Sequence, residues 1–382
     1  MNKSILAVVE DPGAANMVKD LPQEASAHGV SLEIAALSHA VTYLQTRQVD
    51  FLTWERGSAE EFLDEHQPPL LLVGSSDNPQ SRVLELVLEA RKRRIPSIGL
   101  VDMRMNADRR FRGQGKHSLA CAPDYLIVPD TATANAFVSL GMDSLKVLPL
   151  GNPQYDLTLE RSKKLLAETP KNLLKEKLFG QEPLVITFVA EPESTLNPAL
   201  TAKRAGQNLE GTSGSGKRCL IVLEEFLAAL KQISRTFQKE PLVILRLHPR
   251  NQESDFQPYK SDCRLHSGGD PLELICASDL VVGMTSMLLL EAAIVGIPTL
   301  SIVPKLEEAQ WLPTVEAGIT PCATTKEEIE AALAVWYEWH QLSAAQPGSI
   351  ETGGAWFEPG ALKRIAVFIE TRLKELQEGE TH

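Results

Sequence analysis

The sequence contains no apolar run approaching the roughly 18 to 20 residues that span a bilayer, so any membrane contact is expected to be peripheral. Its five cysteines, Cys121, Cys219, Cys263, Cys276 and Cys322, are scattered, odd in number and include no C-x-x-C pair. That excludes a disulfide framework and fits a reducing, cytoplasmic compartment. The first ten residues hold one lysine and a short apolar stretch that runs straight into Asp11-Pro12-Gly13. A signal peptide's apolar core and cleavage site are both missing, and the stretch reads as a first β-strand. An excess of positive charge is missing too. With a net charge of −12, the surface argues against nonspecific nucleic-acid binding, and an anionic ligand must be held at a local site.

Several chemical signatures are likewise absent. There is no H-E-x-x-H, paired-cysteine or Asp-x-Asp cluster, so neither a metal nor another cofactor is expected. No G-x-S-x-G elbow suggests a serine hydrolase. Gly211-Thr212-Ser213-Gly214-Ser215-Gly216-Lys217-Arg218 comes close to a P-loop, but Arg218 stands where a Mg²⁺-binding hydroxyl is needed. A polar loop, not a strand, precedes it, so it is read as part of a flexible insert.

What is present is an ordinary globular composition, 43% hydrophobic and 23% charged over 382 residues, long enough for two cores. Short apolar runs rich in β-branched residues recur at 4–9, 32–37, 70–73, 97–101, 125–128 and 145–148, separated by helical stretches such as 81–94. A second series follows at 184–189, 242–247, 279–282 and 299–303. Strands alternating with helices imply parallel sheets, and strands that are apolar throughout imply sheets covered on both faces. The expected organisation is an N-terminal Rossmann-like domain over 1–155, a C-terminal one over 156–360, and a terminal helix over 361–382. Residues 191–217 and 346–359, rich in Ser, Gly and Pro, read as inserted loops.

Four stretches carry candidate chemistry. The run from Leu242 ends at Leu247-His248-Pro249-Arg250, which sets His248, with Arg250 beside it, at a strand's carboxyl end, where open α/β sheets bind ligands. In Val281-Val282-Gly283-Met284-Thr285-Ser286 a strand is expected to turn at Gly283 into a helix capped by Thr285 or Ser286. Unpaired N–H groups, a positive dipole end and two hydroxyls suit a diphosphate. Glu291, two turns on along an apolar helix face, is costly to bury alone, and ribose hydroxyls would satisfy it. At the N-terminus, Glu10-Asp11-Pro12-Gly13-Ala14-Ala15-Asn16 joins the first strand to the first helix with small residues that let a ligand approach the backbone. Asp11 is a candidate general base, and Asp77 and Asp102, also at strand ends, are weaker candidates. Arg104, Arg109, Arg110, Arg112, Lys116 and His117 make a local positive field suited to an anionic acceptor.

Taken together, these features resemble the GT-B glycosyltransferase superfamily, in particular the branch of UDP-GlcNAc 2-epimerases, CDP-glycerol glycerophosphotransferases and capsule polysialyltransferases. His248-Pro249 is similar to that branch's His-Pro motif, Gly283-Met284-Thr285-Ser286 to its donor-diphosphate turn, and Glu291 to its ribose-binding glutamate. Gly151-Asn152-Pro153-Gln154-Tyr155-Asp156 is similar to the interdomain segment, and the 10–16 loop to the acceptor-side loop in which Gly13 falls. Where many GT-B enzymes space two glutamates eight apart, Gly283 occupies the first place.

The resemblance implies two doubly wound Rossmann-like domains facing each other. It implies metal-independent transfer of a sugar or alditol-phosphate unit from a nucleotide-diphosphate-sugar donor to a polysaccharide or glycolipid acceptor. A non-hydrolysing sugar-nucleotide 2-epimerase is the alternative within enzymes, needing several acid–base carboxylates in the N-terminal domain. A non-catalytic binding protein of the same fold is the alternative outside them.

Overall fold

The computed structural model describes residues 4–182, 184–192, 208–214, 216–248, 250–345 and 357–379. Pro249 and most of the two expected inserts, 193–207 and 346–356, lie outside the described residues. The chain divides into two compact units, Met1–Asp156 with Phe357–His382, and Leu157–Trp356.

The first unit holds a seven-stranded sheet of β1 (Ile5–Val9), β2 (Leu32–Ala36), β3 (Leu52–Thr53), β4 (Leu71–Gly74), β5 (Ser97–Leu100), β6 (Tyr125–Ile127) and β7 (Val147–Leu148). Their order is β3-β2-β1-β4-β5-β6-β7, and every pairing is parallel. The second unit holds β8 (Val185–Val189), β9 (Leu242–Arg246), β10 (Arg264–His266), β11 (Leu280–Gly283), β12 (Thr299–Ile302) and β13 (Cys322–Ala323). Here the order is β10-β9-β8-β11-β12-β13, again all parallel. Each sheet is doubly wound as the apolar runs imply, and its order reverses once, between β1 and β4 and between β8 and β11.

The period-two alternation of a strand explains why the central runs are apolar throughout. Along β1, Ile5, Ala7 and Val9 join one buried cluster while Leu6 and Val8 join another on the opposite face with Trp54 and Phe62. In β8, Ile186 and Phe188 pack into a single large core, with the Phe188 and Phe226 rings 5.6 Å apart. The strands that the run pattern misses, β3, β10 and β13, lie at sheet edges and are two or three residues long. Arg264, Leu52 and Thr53 are exposed there, so these edges carry no buried apolar run.

The terminal helix, Ala361–Gly379, belongs to the first unit. Its Ile365, Ala366 and Ile369 are buried with Ile5, Leu21 and Ile34. Asp156 receives its start: the Gly360 and Ala361 N–H groups donate to the two carboxylate oxygens at 3.0 and 2.8 Å. Arg364 adds a bond to the Leu150 carbonyl at 3.0 Å. Among the described residues no helix is long and apolar enough to cross a membrane.

Capping by Asp156 is expected to contribute about 1 kcal/mol. Asp156→Ala should therefore lower unfolding stability by roughly that amount, read by denaturant titration, with the slope on denaturant unchanged because the helix stays folded in place.

Candidate functional site

Open α/β sheets collect ligands outside the carboxyl ends of their strands, at the point where strand order reverses. In the first unit that point is the end of β1 and β4. Asp11 follows β1 as the N-cap of helix Pro12–Val18, yet its side chain makes no capping bond. Its carboxyl is held above the usual aspartate range, first by burial and then by the charges of Asp77 and Asp102, against the opposing effects of a Ser76 hydrogen bond and the Arg110 charge.

Asp102 and Asp77 have their own cations. Arg110, 9% exposed, donates to Asp102 Oδ1 and to Ser75 Oγ, both at 2.8 Å, and through Nε to the Met105 carbonyl at 2.8 Å. Asp77 accepts from Asn106 at 3.0 Å and faces Arg109 at 3.6 Å. The arginine-rich stretch is thus only partly the open positive field expected for an anionic acceptor. Its two central arginines turn inward, because carboxylates crowded at strand ends need counter-charges. Asn152 of the 151–156 segment donates to the Asp102 carbonyl at 3.1 Å, fixing the loop from behind.

Gly13 has a packing reason. A Cβ there would stand 2.1 Å from Asp102 Oδ2, so the glycine makes room for that carboxylate; Gly74 likewise admits Ala14, whose Cβ would be 2.3 Å away. The small residues expected to admit a ligand thus also admit the fold's own groups. Glu10, missed from sequence, is buried beside them with Ser81 Oγ at 2.5 Å and Asn78 Nδ2 at 3.5 Å, and burial pushes its carboxyl up.

The second unit's reversal point is the end of β8 and β11. Gly283 is the last residue of β11, paired with Ser301, and not a turn. A Cβ at Gly283 would meet only ordinary contacts, 3.5 Å from the Val189 carbonyl oxygen. The bend falls at Met284 and Thr285, and Ser286 caps helix Met287–Ile294 by accepting from the Leu288 N–H at 3.2 Å. Thr285 is engaged otherwise: its N–H donates to Glu191 Oε1 at 2.5 Å and its hydroxyl to Glu191 Oε2 at 3.2 Å. Arg218, 6% exposed, bonds Glu191 Oε2 at 3.2 Å and Glu308 Oε2 at 2.7 Å.

His248 follows β9. Its backbone N–H donates to Asn251 at 2.8 Å, and its Nδ1 accepts the Arg250 N–H at 3.1 Å. Burial and the Arg250 charge lower its pKa, with Glu191 opposing. The neutral ring then carries its proton on Nε2, a donor. A cavity of about 240 Å³ adjoins these groups, lined by Glu191, Lys217, Cys219, Arg250 and Asn251 among others. A more apolar cavity of about 350 Å³, lined by Leu280, Pro298, Thr299, Trp336 and Trp339, lies at the amino ends of β11 and β12, away from these polar groups.

Glu291 sits on helix Met287–Ile294, and among the described residues its carboxyl has no hydrogen-bond partner. Burial raises its pKa to about 7, with the Arg161 charge opposing and Asp270 reinforcing. The Gly211–Gly214 turn of the P-loop-like stretch directs its N–H groups at the chain itself: Thr212 and Ser213 donate to Glu224 at 2.5 and 2.9 Å, and Gly211 to Glu225 at 3.0 Å. Glu191, Arg218 and Glu308 were not legible in advance, since Glu191 reads as the first residue of an insert and Arg218 only as a P-loop mismatch.

No family model matches the sequence, and no curated protein matches it significantly. Solved structures do match. A UDP-GlcNAc 2-epimerase from Neisseria meningitidis bound to UDP-GlcNAc is 16% identical, with a TM-score of 0.64, covering 97% of this chain and 100% of that one. The fold is GT-B. Another UDP-GlcNAc 2-epimerase, from Methanocaldococcus jannaschii in complex with UDP-GlcNAc and UDP, is 13% identical at a TM-score of 0.61, covering 96% and 99% of the two chains. A glycosyltransferase from Rickettsia africae is 10% identical at 0.58, covering 98% and 99%. Identities this low establish the GT-B fold and nothing finer.

Because Glu291 binds its proton more tightly folded than unfolded, its contribution to stability is full below the unfolded value near 4.5 and is lost as pH rises to about 7. Glu291→Gln, which cannot ionise, should therefore melt higher than the parent at pH 8, and the gap should shrink toward pH 5. A gap independent of pH contradicts the raised value.

Proposed function

We propose that this protein is an enzyme acting on a nucleotide-diphosphate sugar, with the nucleotide held by the second unit. The observation that carries the reading is Glu291. It is a carboxyl without a hydrogen-bond partner among the described residues, one turn beyond the Ser286-capped start of its helix, in a fold shared with proteins solved with UDP-GlcNAc and UDP. Ribose hydroxyls donating to Glu291 would supply the bonds that the chain does not. In this reading the backbone N–H groups at Thr285 and Ser286 and the Nε2–H of His248 donate hydrogen bonds to the diphosphate oxygens, and Arg250 supplies positive charge.

For the reaction, C2 epimerisation without net hydrolysis is the better supported. Inverting a carbon centre requires a proton to leave one face and another to arrive on the opposite face, hence two acid–base groups. The first unit gathers Asp11, Asp77 and Asp102 at the ends of β1, β4 and β5: Asp77 faces Arg109 and Asp102 is bonded to Arg110, while Asp11 has no ion pair among the described residues and burial raises its proton affinity. Transfer of a sugar or alditol-phosphate unit to a polysaccharide or glycolipid acceptor is the second reading. It needs one base, and Asp11, the member without an ion pair among the described residues, supplies it.

Thermal-shift measurements with UDP, CDP, GDP and ADP test the nucleotide site. One of them should raise Tm by several degrees at a hundredfold excess over Kd, and both His248→Ala and Glu291→Ala should lose the rise while melting cooperatively. Proton NMR of UDP-GlcNAc incubated with the protein then separates the reactions. A C2-epimeric product that Asp11→Asn and Asp102→Asn abolish supports epimerisation, whereas turnover only upon addition of an acceptor supports transfer.

A further inference from the structure

Glu191 stands at the end of β8, next to β11, where the strand order reverses and where the proposed function places the diphosphate. Its carboxylate takes the bonds a phosphate oxygen would take there: the Thr285 N–H at 2.5 Å, the Thr285 hydroxyl at 3.2 Å and the Arg218 guanidinium at 3.2 Å. Arg218 is buried between two carboxyl groups, Glu191 and Glu308, so one guanidinium serves both. The Glu191 main chain is held separately, its carbonyl accepting from Asn251 Nδ2 at 3.4 Å. Release of the carboxylate therefore needs only a rotation of the side chain toward the adjoining cavity.

We propose that the Glu191 carboxylate is an internal anion seated on the diphosphate site, which a nucleotide must displace to bind, Arg218 passing from Glu191 to the incoming phosphate while Glu308 keeps it in place. The proposal rests on the diphosphate reading above and deepens it. Two anions cannot share one set of donors, so apparent affinity is the intrinsic affinity reduced by the fraction of molecules in which the seat is open. The same exchange gives the site selectivity, because a ligand with a single weak charge gains too little to displace a carboxylate already hydrogen-bonded there, while a diphosphate gains more.

Isothermal titration of inorganic pyrophosphate and of UDP into the parent, Glu191→Gln and Glu191→Asp tests this. Glutamine keeps the shape and removes the charge, and aspartate keeps the charge but is one methylene too short to reach Thr285 and Arg218 together. Pyrophosphate is expected to bind Glu191→Gln about tenfold or more tightly than it binds the parent, with Glu191→Asp between the two. If the parent and Glu191→Gln bind equally, or Glu191→Gln binds more weakly, Glu191 supports the site instead of occupying it. The displacement idea then fails while the diphosphate reading stands. If neither protein binds pyrophosphate or UDP, both fail. Should Glu191→Gln not melt cooperatively, Glu191→Asp decides alone: an affinity no better than the parent's overturns the proposal.

Discussion

A parallel sheet covered on both faces leaves charged side chains almost nowhere to go except past the ends of its strands. Both units obey this constraint, and the polar chemistry of the molecule follows from it. The interiors of β1, β4, β8 and β11 are wholly buried and apolar apart from Thr187, whose hydroxyl is paired with Ser278 at 2.7 Å. Glu10, Asp11, Asp77 and Asp102 in one unit, and Glu191, His248 and Thr285 in the other, crowd the carboxyl ends. Carboxylates brought so close to a low-dielectric core must find cations, hydrogen bonds or protons.

They find them unequally. Arg110 and Arg109 answer Asp102 and Asp77 and leave Asp11 with a Ser76 hydrogen bond and a raised proton affinity. Arg218 answers Glu191 and Glu308, while Glu291 has the distant charge of Arg161 and no direct bond among the described residues. Uneven pairing is what separates one carboxyl's chemistry from the next when all are the same functional group. It also explains why the inward-turned arginines contribute less to an open positive surface than their density in the sequence suggests.

Runs such as 184–189 and 242–247 coincide with β8 and β9 because a strand buried on both faces is apolar at every position. The edge strands β3, β10 and β13 left no such trace, being short and partly exposed. The Ser286 cap was legible because N-capping depends on neighbours two or three residues away. The turn expected at Gly283 came one residue later, since β11 continues through it in register with β12. Gly13 was read as room for a ligand, but the contact that needs it to be small is with Asp102, from a different strand end.

The hydrophobic period and the local capping signals, each a matter of a few consecutive residues, were enough to determine two parallel α/β sheets and to set His248, Ser286 and Glu291 at strand ends or on the following helix. Which carboxylate meets which cation was decided only by the tertiary structure. Arg218 reaches Glu191 across 27 residues and Glu308 across 90, and Thr285 reaches Glu191 across 94. Such pairings depend on which strands lie side by side in the sheet, and strand order is a property of the whole fold that no local pattern records.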